Sequence, residues 1–124
     1  MADLRSYFNN LASKRREKRF NAYYWNEISD YCSYFSHNAN SVLEVGCGNG
    51  DLLAKLSGRR KVGIDFSEEY IAWANERHKG KGIDFLQMDA NRITLNETFD
   101  FIVISNLIGY VDDIQQVFEQ VKKC

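Results

Sequence analysis

The stretch SVLEVGCGNGDLL, residues 41–53, decides how this chain folds. Ser41 to Val45 has the apolar, branched character of a short buried strand. Gly46, Gly48 and Gly50 follow at once, and an apolar helical run opens at Asp51. Glycine reaches positive φ without strain and lets a ligand come within contact distance of the main chain. The unbonded N–H groups at the start of the next helix are expected to face the same space.

Downstream of this stretch the pattern alternates. A helix over 51–57 is expected to end near Gly58, and KVGID (61–65) reads as a second strand. Ser67 is placed to cap a helix from Glu68 towards Arg77, with Glu68 and Glu69 suited to its positive start. IDFLQM (83–88) and FDFIVIS (99–105) read as strands three and four, the latter apolar enough to be covered on both faces. Asp112 or Asp113 then caps a helix carrying Ile114, Val117, Phe118 and Val121 at helical spacing. Strands separated in this way pair in parallel through right-handed crossovers. The expected fold is α/β, a doubly wound Rossmann-like parallel sheet of about four strands. Upstream, residues 1–40 read as a helical segment, with Tyr24, Ile28, Tyr31 and Phe35 forming a stripe, Trp25 and Cys32 beside it. That stripe is expected to pack on the body of the domain; as a lid, it would bring Arg19, Phe20 or Tyr23 over a ligand.

Composition narrows the class. The chain has 124 residues, 44% hydrophobic and 27% charged, enough for one packed domain. It holds no apolar run of about 18 residues and no signal-type N-terminus, so a cytoplasmic protein is expected. Cys32, Cys47 and Cys124 have the number and spacing of neither a disulfide framework nor, with His37 and His78, a metal site. Residues 1–20 contain six Lys/Arg and two acids, whereas the remainder is net acidic. The basic run at residues 14–19 therefore reads as a solvated face or a dock for an acidic partner rather than a nucleic-acid site.

The loop spacing separates ligand classes. A dinucleotide loop reads G-x-G-x-x-G and a phosphate loop ends in G-K-[ST]; here the sequence is G-x-G-x-G followed by Asp51. EVGCGNG (44–50) instead resembles the acidic-x-G-x-G-x-G motif of class I S-adenosylmethionine-dependent methyltransferases, and further landmarks follow in order. Asp65 closes the second strand nineteen residues after Gly46, Asp89 closes the third, and SNLIGY (105–110) follows the fourth. The resemblance spans about residues 40–123. It implies S-adenosyl-L-methionine as cofactor, a strand order of 3-2-1-4, and a set of binding positions. These are Glu44, Gly46, Cys47, Gly48, Asn49 and Gly50 at the first strand tip, then Asp65 with Phe66 on the ribose. Asp89 with Ala90 would meet the adenine, and Ser105 with Asn106 the methionine end. A carboxylate at a strand tip has two oxygens to offer a vicinal diol. A nicotinamide-dependent enzyme also places an acid near Asp65, which alone does not discriminate.

FDFIVISNLIGYVDDIQ (99–115) further resembles methyltransferase-like domains that precede a family-2 glycosyltransferase. The [DN]-P-P-[YF] motif of amino-directed nucleic-acid methyltransferases is replaced by Ser105-Asn106-Leu107-Ile108, which argues against a base-amino acceptor; a small-molecule or glycan-linked acceptor is expected. No catalytic base is assigned. His37 lies in a polar turn, His78 is expected at the negative end of the second βα helix, and Tyr110 suits an acceptor pocket and a core equally. Cys47 sits where a small side chain is needed. The family's seven-stranded sheet leads to the expectation that this chain is a cofactor-binding fragment. Its fourth-strand edge would then be covered by a second copy or a downstream domain. A noncatalytic docking module is the competing reading.

Overall fold

The computed structural model describes residues 22–104 and 114–124. The elements are α1 (Ala22–Ser36), β1 (Ser41–Val45), α2 (Asp51–Lys55), β2 (Arg60–Asp65), α3 (Glu68–Arg77), β3 (Ile83–Gln87), β4 (Phe101–Ile104) and α4 (Ile114–Val121). The strands form one parallel sheet in the order β3-β2-β1-β4. This is the order the glycine-loop resemblance implies, with the chain reversing direction across the sheet between β1 and β4.

The strand pleat assigns each side chain to a layer. Val42, Phe85 and Val103 face one side, where Ile28 and Cys32 of α1, Leu52 and Leu53 of α2, and Ile71 and Ala74 of α3 cover them. Leu43, Val45, Val62 and Ile64 face the other, against Ala90, Ile93 and Val117. Complete burial of a leucine such as Leu43 or Leu53 contributes about 1.5–3 kcal/mol. Both faces are covered, so the central strands read as continuous apolar runs.

Local signals place the helix ends. Ser67 Oγ accepts from Tyr70 N at 3.2 Å, capping α3 as its sequence predicts. The C-terminal carbonyls of α2 are met from outside the helix: Lys61 Nζ donates to Leu56 O at 3.0 Å and to Leu53 O at 3.3 Å. A cation is favoured at that negative end, although burial and Lys81 lower the ammonium's proton affinity. At the opposite edge of the sheet Asp100 Oδ2 accepts from Asn40 N and Ser41 N, fastening the start of β4 to the start of β1. Arg60 pairs with Glu97 and Asp84, joining β2, β3 and the crossover.

The structure departs from the sequence reading in several places. The expected stripe on α1 is displaced: Ile28 and Cys32 pack on the core, while Tyr31 and Phe35 are each 68% exposed. The core-facing line is thus Ile28, Cys32 and Ser36, at spacing of four, the first two half-buried and Ser36 buried, with Ser36 Oγ donating to Cys32 O at 2.7 Å. In α4, Val117 is buried and Val121 packs beside it, but Phe118 is exposed. Between β3 and β4 the chain crosses without a helix, and residues 88–100 cover the sheet in irregular form through Ile93 and Leu95. Residues 14–20, Ser105, Asn106, Tyr110, Asp112 and Asp113, together with the side chains of Tyr23, Tyr24 and Trp25, lie outside the described residues.

Candidate functional site

The site is built where β1 and β2 end side by side. Val45 pairs with Ile64 in register, so the loop leaving β1 starts level with the last residues of β2. Ile64 O accepts from both Gly46 N (2.8 Å) and Cys47 N (3.0 Å), which turns the loop across the tip of β2. Gly48 N then donates to Asp65 Oδ2 at 2.8 Å. The other carboxylate oxygen of Asp65 accepts from Ser67 N at 2.9 Å. Asp65 therefore links the glycine loop to the start of α3.

Opposing effects act on that carboxyl. Burial pushes its proton affinity up, and the N–H groups of Ser67, Gly48 and Phe66 pull it back without fully compensating. Three N–H groups leave part of the carboxylate's acceptor capacity unused, so the group can still accept from a bound diol.

The three loop glycines have positive φ, and two of them play different parts. A Cβ at Gly50 would come within 2.5 Å of Phe85 Cζ and 3.1 Å of His78 Cδ2, so this glycine serves internal packing. At Gly48 the nearest atoms to such a Cβ belong to the Tyr70 ring at 3.9 Å, and the backbone lies open for a ligand's approach. Gly63, inside β2, would bring a Cβ to 2.9 Å from Cys47 Sγ and 3.0 Å from Phe85. Its absent side chain is what lets Cys47 tuck beneath the loop. A glycine in a strand interior signals such a close approach, and the sequence carried that signal in KVGID.

Several N–H groups around the loop are bonded within the protein, Asp51 N at the start of α2 among them. Gly46, Cys47 and Gly48 donate to β2 as described, Gly50 N donates to Cys47 O at 2.9 Å, and Asp51 N to Asn49 Oδ1 at 3.0 Å. Buried backbone donors rarely go unpaired, and these five are met by β2, by Asp65 or within the loop. Glu44 is 1% exposed and Cys47 is buried, so protein covers both side chains. Burial, together with the fields of Glu44 and Asp65, holds the Cys47 thiol well above its ordinary range, in keeping with a packing role.

The third strand tip lies alongside. Met88 N donates to Asp65 O at 2.9 Å, and Gln87 Nε2 to Phe66 O at 3.3 Å, holding the two tips together. Asp89 Oδ1 accepts from Asn91 N at 2.8 Å and from Asn91 Nδ2 at 3.1 Å, closing a turn on itself. The Ala90 methyl is buried in the second core cluster, which leaves its backbone as the part that can meet a ligand.

His37 is exposed, its Nδ1 2.7 Å from Tyr34 O, as a solvated turn residue should be. His78 does not bind the negative end of α3 through its ring: Nε2 sits 3.0 Å from Asp51 Oδ1 and Nδ1 3.0 Å from Lys81 Nζ. That pairing had no signature in sequence, since the partners belong to α2 and to the turn before β3. Among the described residues no group of His, Cys, Asp and Glu is arranged to hold a metal ion, and no helix is long and apolar enough to cross a membrane.

A parallel 3-2-1-4 sheet with a glycine loop after its first strand, tied to a carboxylate on the second, defines a Rossmann-like nucleoside-binding architecture. Within that class the chain belongs to the methyltransferase domain family, whose model matches residues 42–124. It is 33% identical over 88 residues to a malonyl-[acyl-carrier protein] O-methyltransferase of Bacillus anthracis, covering 68% of this chain and 33% of that protein. It is 38% identical over 88 residues to a phosphatidylethanolamine N-methyltransferase of Cereibacter sphaeroides, covering 66% of this chain and 43% of that protein. The chain thus spans about a third to two fifths of the length of these relatives. Its fold is similar to that of the N-methyltransferase NodS from Bradyrhizobium japonicum in complex with S-adenosyl-L-homocysteine. That likeness has a TM-score of 0.78 at 21% identity, over 97% of this chain and 65% of that one.

Proposed function

We propose that this chain binds S-adenosyl-L-methionine and forms the cofactor-binding part of a methyltransferase acting on a small-molecule or glycan-linked acceptor. The observation that carries the reading is the 2.8 Å bond from Gly48 N to Asp65 Oδ2, which brings open glycine backbone and a strand-tip carboxylate together. The residues fit the cofactor. Asp65 offers two oxygens to a ribose diol, with Phe66 beside it, and the turn at Asp89 and Ala90 lies next to the β2 tip for the adenine. Gly46, Gly48 and Asn49 line the loop where the amino-acid end would lie, with Gly50 holding its shape from below. Glu44 and Cys47 act through the packing beneath that loop; Ser105 and Asn106, outside the described residues, are assigned to the methionine end by the resemblance alone.

When bound, the cofactor supplies a sulfonium methyl group already activated for in-line displacement. What this chain contributes is binding and orientation. Asp65 and Gly48 fix the sugar against the loop, and the apolar layers on both sheet faces keep that frame rigid. Neither described histidine is free to act as a base at this site: His37 is at the end of α1, and His78 is held by Asp51 and Lys81. A methyl acceptor that needs no deprotonation, or a base from elsewhere, agrees with this arrangement.

The test is titration calorimetry with S-adenosylmethionine and S-adenosylhomocysteine, NADH serving as the control ligand. Saturable binding of the adenosyl compounds without NADH binding is expected. No heat with either compound, together with NADH binding, would overturn the reading in favour of an oxidoreductase.

A second reading is favoured by one observation. Tyr31, Tyr34 and Phe35 are exposed together on α1, with Tyr34 and Phe35 in edge contact at 5.3 Å between ring centroids, as a noncatalytic docking module would present them. β4 is also an edge strand of the described sheet, and a second copy or further domain is proposed to cover it. Sedimentation velocity distinguishes a self-associating chain from a monomer, and a cytoplasmic setting accords with the three free thiols.

A further inference from the structure

His78 ends α3 and turns back beneath the glycine loop. Its side chain is 4% exposed. On one side Nε2 lies 3.0 Å from Asp51 Oδ1, an oxygen that also accepts from Arg77 Nε at 2.6 Å. On the other side Nδ1 lies 3.0 Å from Lys81 Nζ. A lysine ammonium offers only hydrogens, so Nδ1 must present its lone pair and Nε2 must carry the proton given to Asp51. This is the neutral ring, in one tautomer. The ring rests on Phe85, with centroids 5.9 Å apart, and its Cδ2 lies 3.1 Å from where a Cβ at Gly50 would stand. The imidazole therefore meets the loop twice, by packing at Gly50 and by a hydrogen bond to Asp51, whose own N–H is tied to Asn49 Oδ1.

We propose that His78 is a positioning residue for the glycine loop: it holds Gly50 and Asp51 in the ligand-binding geometry while its ring is neutral, so that adenosyl-ligand affinity falls when it is protonated. The ligand half of this proposal rests on the function proposed above; the coupling between His78 and the loop does not.

The physical reason is donor crowding. A second ring proton would point at the Lys81 ammonium across 3.0 Å, so either the ring or the lysine must move. The charged groups facing the ring are Asp51 from α2, Arg77 of α3 and Lys81 from the turn before β3, while β3 presents the uncharged Phe85. Burial and Lys81 lower the ring's proton affinity more than Asp51 raises it. Protonation thus puts a cation between the Lys81 ammonium and the Asp51 carboxylate, which Arg77 already pairs, at the residue that begins α2.

Two measurements test this. In the unliganded chain, nuclear magnetic resonance should show the Gly48, Gly50 and Asp51 amides shifting with the midpoint of the His78 ring, and His78→Gln should abolish those shifts. Calorimetry should show the dissociation constant of S-adenosylhomocysteine rising about fivefold or more between about pH 7.5 and about pH 5.5. His78→Gln should flatten that slope, leaving only what Asp65 contributes. Should His78→Gln fail to fold, Lys81→Met serves instead, raising the His78 midpoint and carrying the amide and affinity midpoints with it. Loop amides that ignore the His78 titration, or a wild-type pH slope kept by His78→Gln, overturn the proposal. Amides that follow His78 in a chain that binds no adenosyl ligand at any pH uphold the coupling and overturn the functional reading.

Discussion

Asp65 Oδ2 accepts the N–H of Gly48 at 2.8 Å, so the carboxylate at the end of β2 and the uncrowded glycine of the loop after β1 form one unit. Asp65→Asn replaces one of the two oxygens by an amide NH2, which then faces Gly48 N–H or Ser67 N–H donor to donor. A hydrogen bond to a charged group is worth about 1.5–3 kcal/mol, and tenfold in affinity corresponds to about 1.4 kcal/mol. Binding of S-adenosylhomocysteine, measured by calorimetry, should weaken about 10- to 100-fold. Affinity unchanged within error would detach Asp65 from the ligand.

Gly48 and Gly50 share positive φ but not surroundings. Gly50→Ala drives a methyl into Phe85 and His78, adding overpacking of about 1–3 kcal/mol to a left-handed backbone cost of about 1–2 kcal/mol. Gly48→Ala carries the backbone cost alone. Denaturant melts should rank Gly50→Ala as the less stable variant, while calorimetry should find ligand binding impaired in both. Equal stabilities would contradict the packing role assigned to Gly50.

Cys47 and Gly63 fill one another's space. Gly63→Ala should therefore destabilise the fold by about 1–3 kcal/mol through overpacking. The same enclosure, with a thiol pushed well above its ordinary range, should make Cys47 the slowest of the three cysteines to react with a thiol reagent. Mass spectrometry of the partly alkylated native chain reads the order directly. Labelling of Cys47 ahead of Cys32 and Cys124 would show the loop open in solution.

His78 links stability to pH. Its folded proton affinity is lower than that of an ordinary histidine, near pH 6.5. Below that value the unfolded chain takes up a proton that the folded chain refuses, so stability falls as pH drops and is flat above it. Asp65 works in the opposite sense at lower pH, since burial makes the folded carboxyl the first to protonate. Urea midpoints at about pH 7.5 and about pH 5.5 should differ in the wild type and converge in His78→Gln. An equal loss in both would place the acid sensitivity elsewhere.

Much of the frame was legible because its causes are local. The glycines after Val45, the Ser67 cap and the apolar run into Ile104 each act within a few residues, and β1, β2 and the α3 start fell where those signals put them. The crossover at 88–100 is irregular in the structure, where the alternation of strand and helix implied a helical segment. The α1 stripe was misplaced because two helical faces one residue apart, Ile28 with Cys32 and Tyr31 with Phe35, are equally periodic. Only contact with the sheet selects between them.

The sequence by itself determined the order of strands and helices, and put Asp65 at the end of β2 and Asp89 just beyond β3, because backbone preferences and apolar period depend on near neighbours. The tertiary structure decided which glycine is open and which is filled, that Gly46, Cys47 and Gly48 donate to the end of β2, and that His78 belongs to Asp51 and Lys81. Those outcomes depend on which atoms β1, β2, α3 and β3 bring within a few ångströms of each other, a distance the spacing of residues along one chain does not encode.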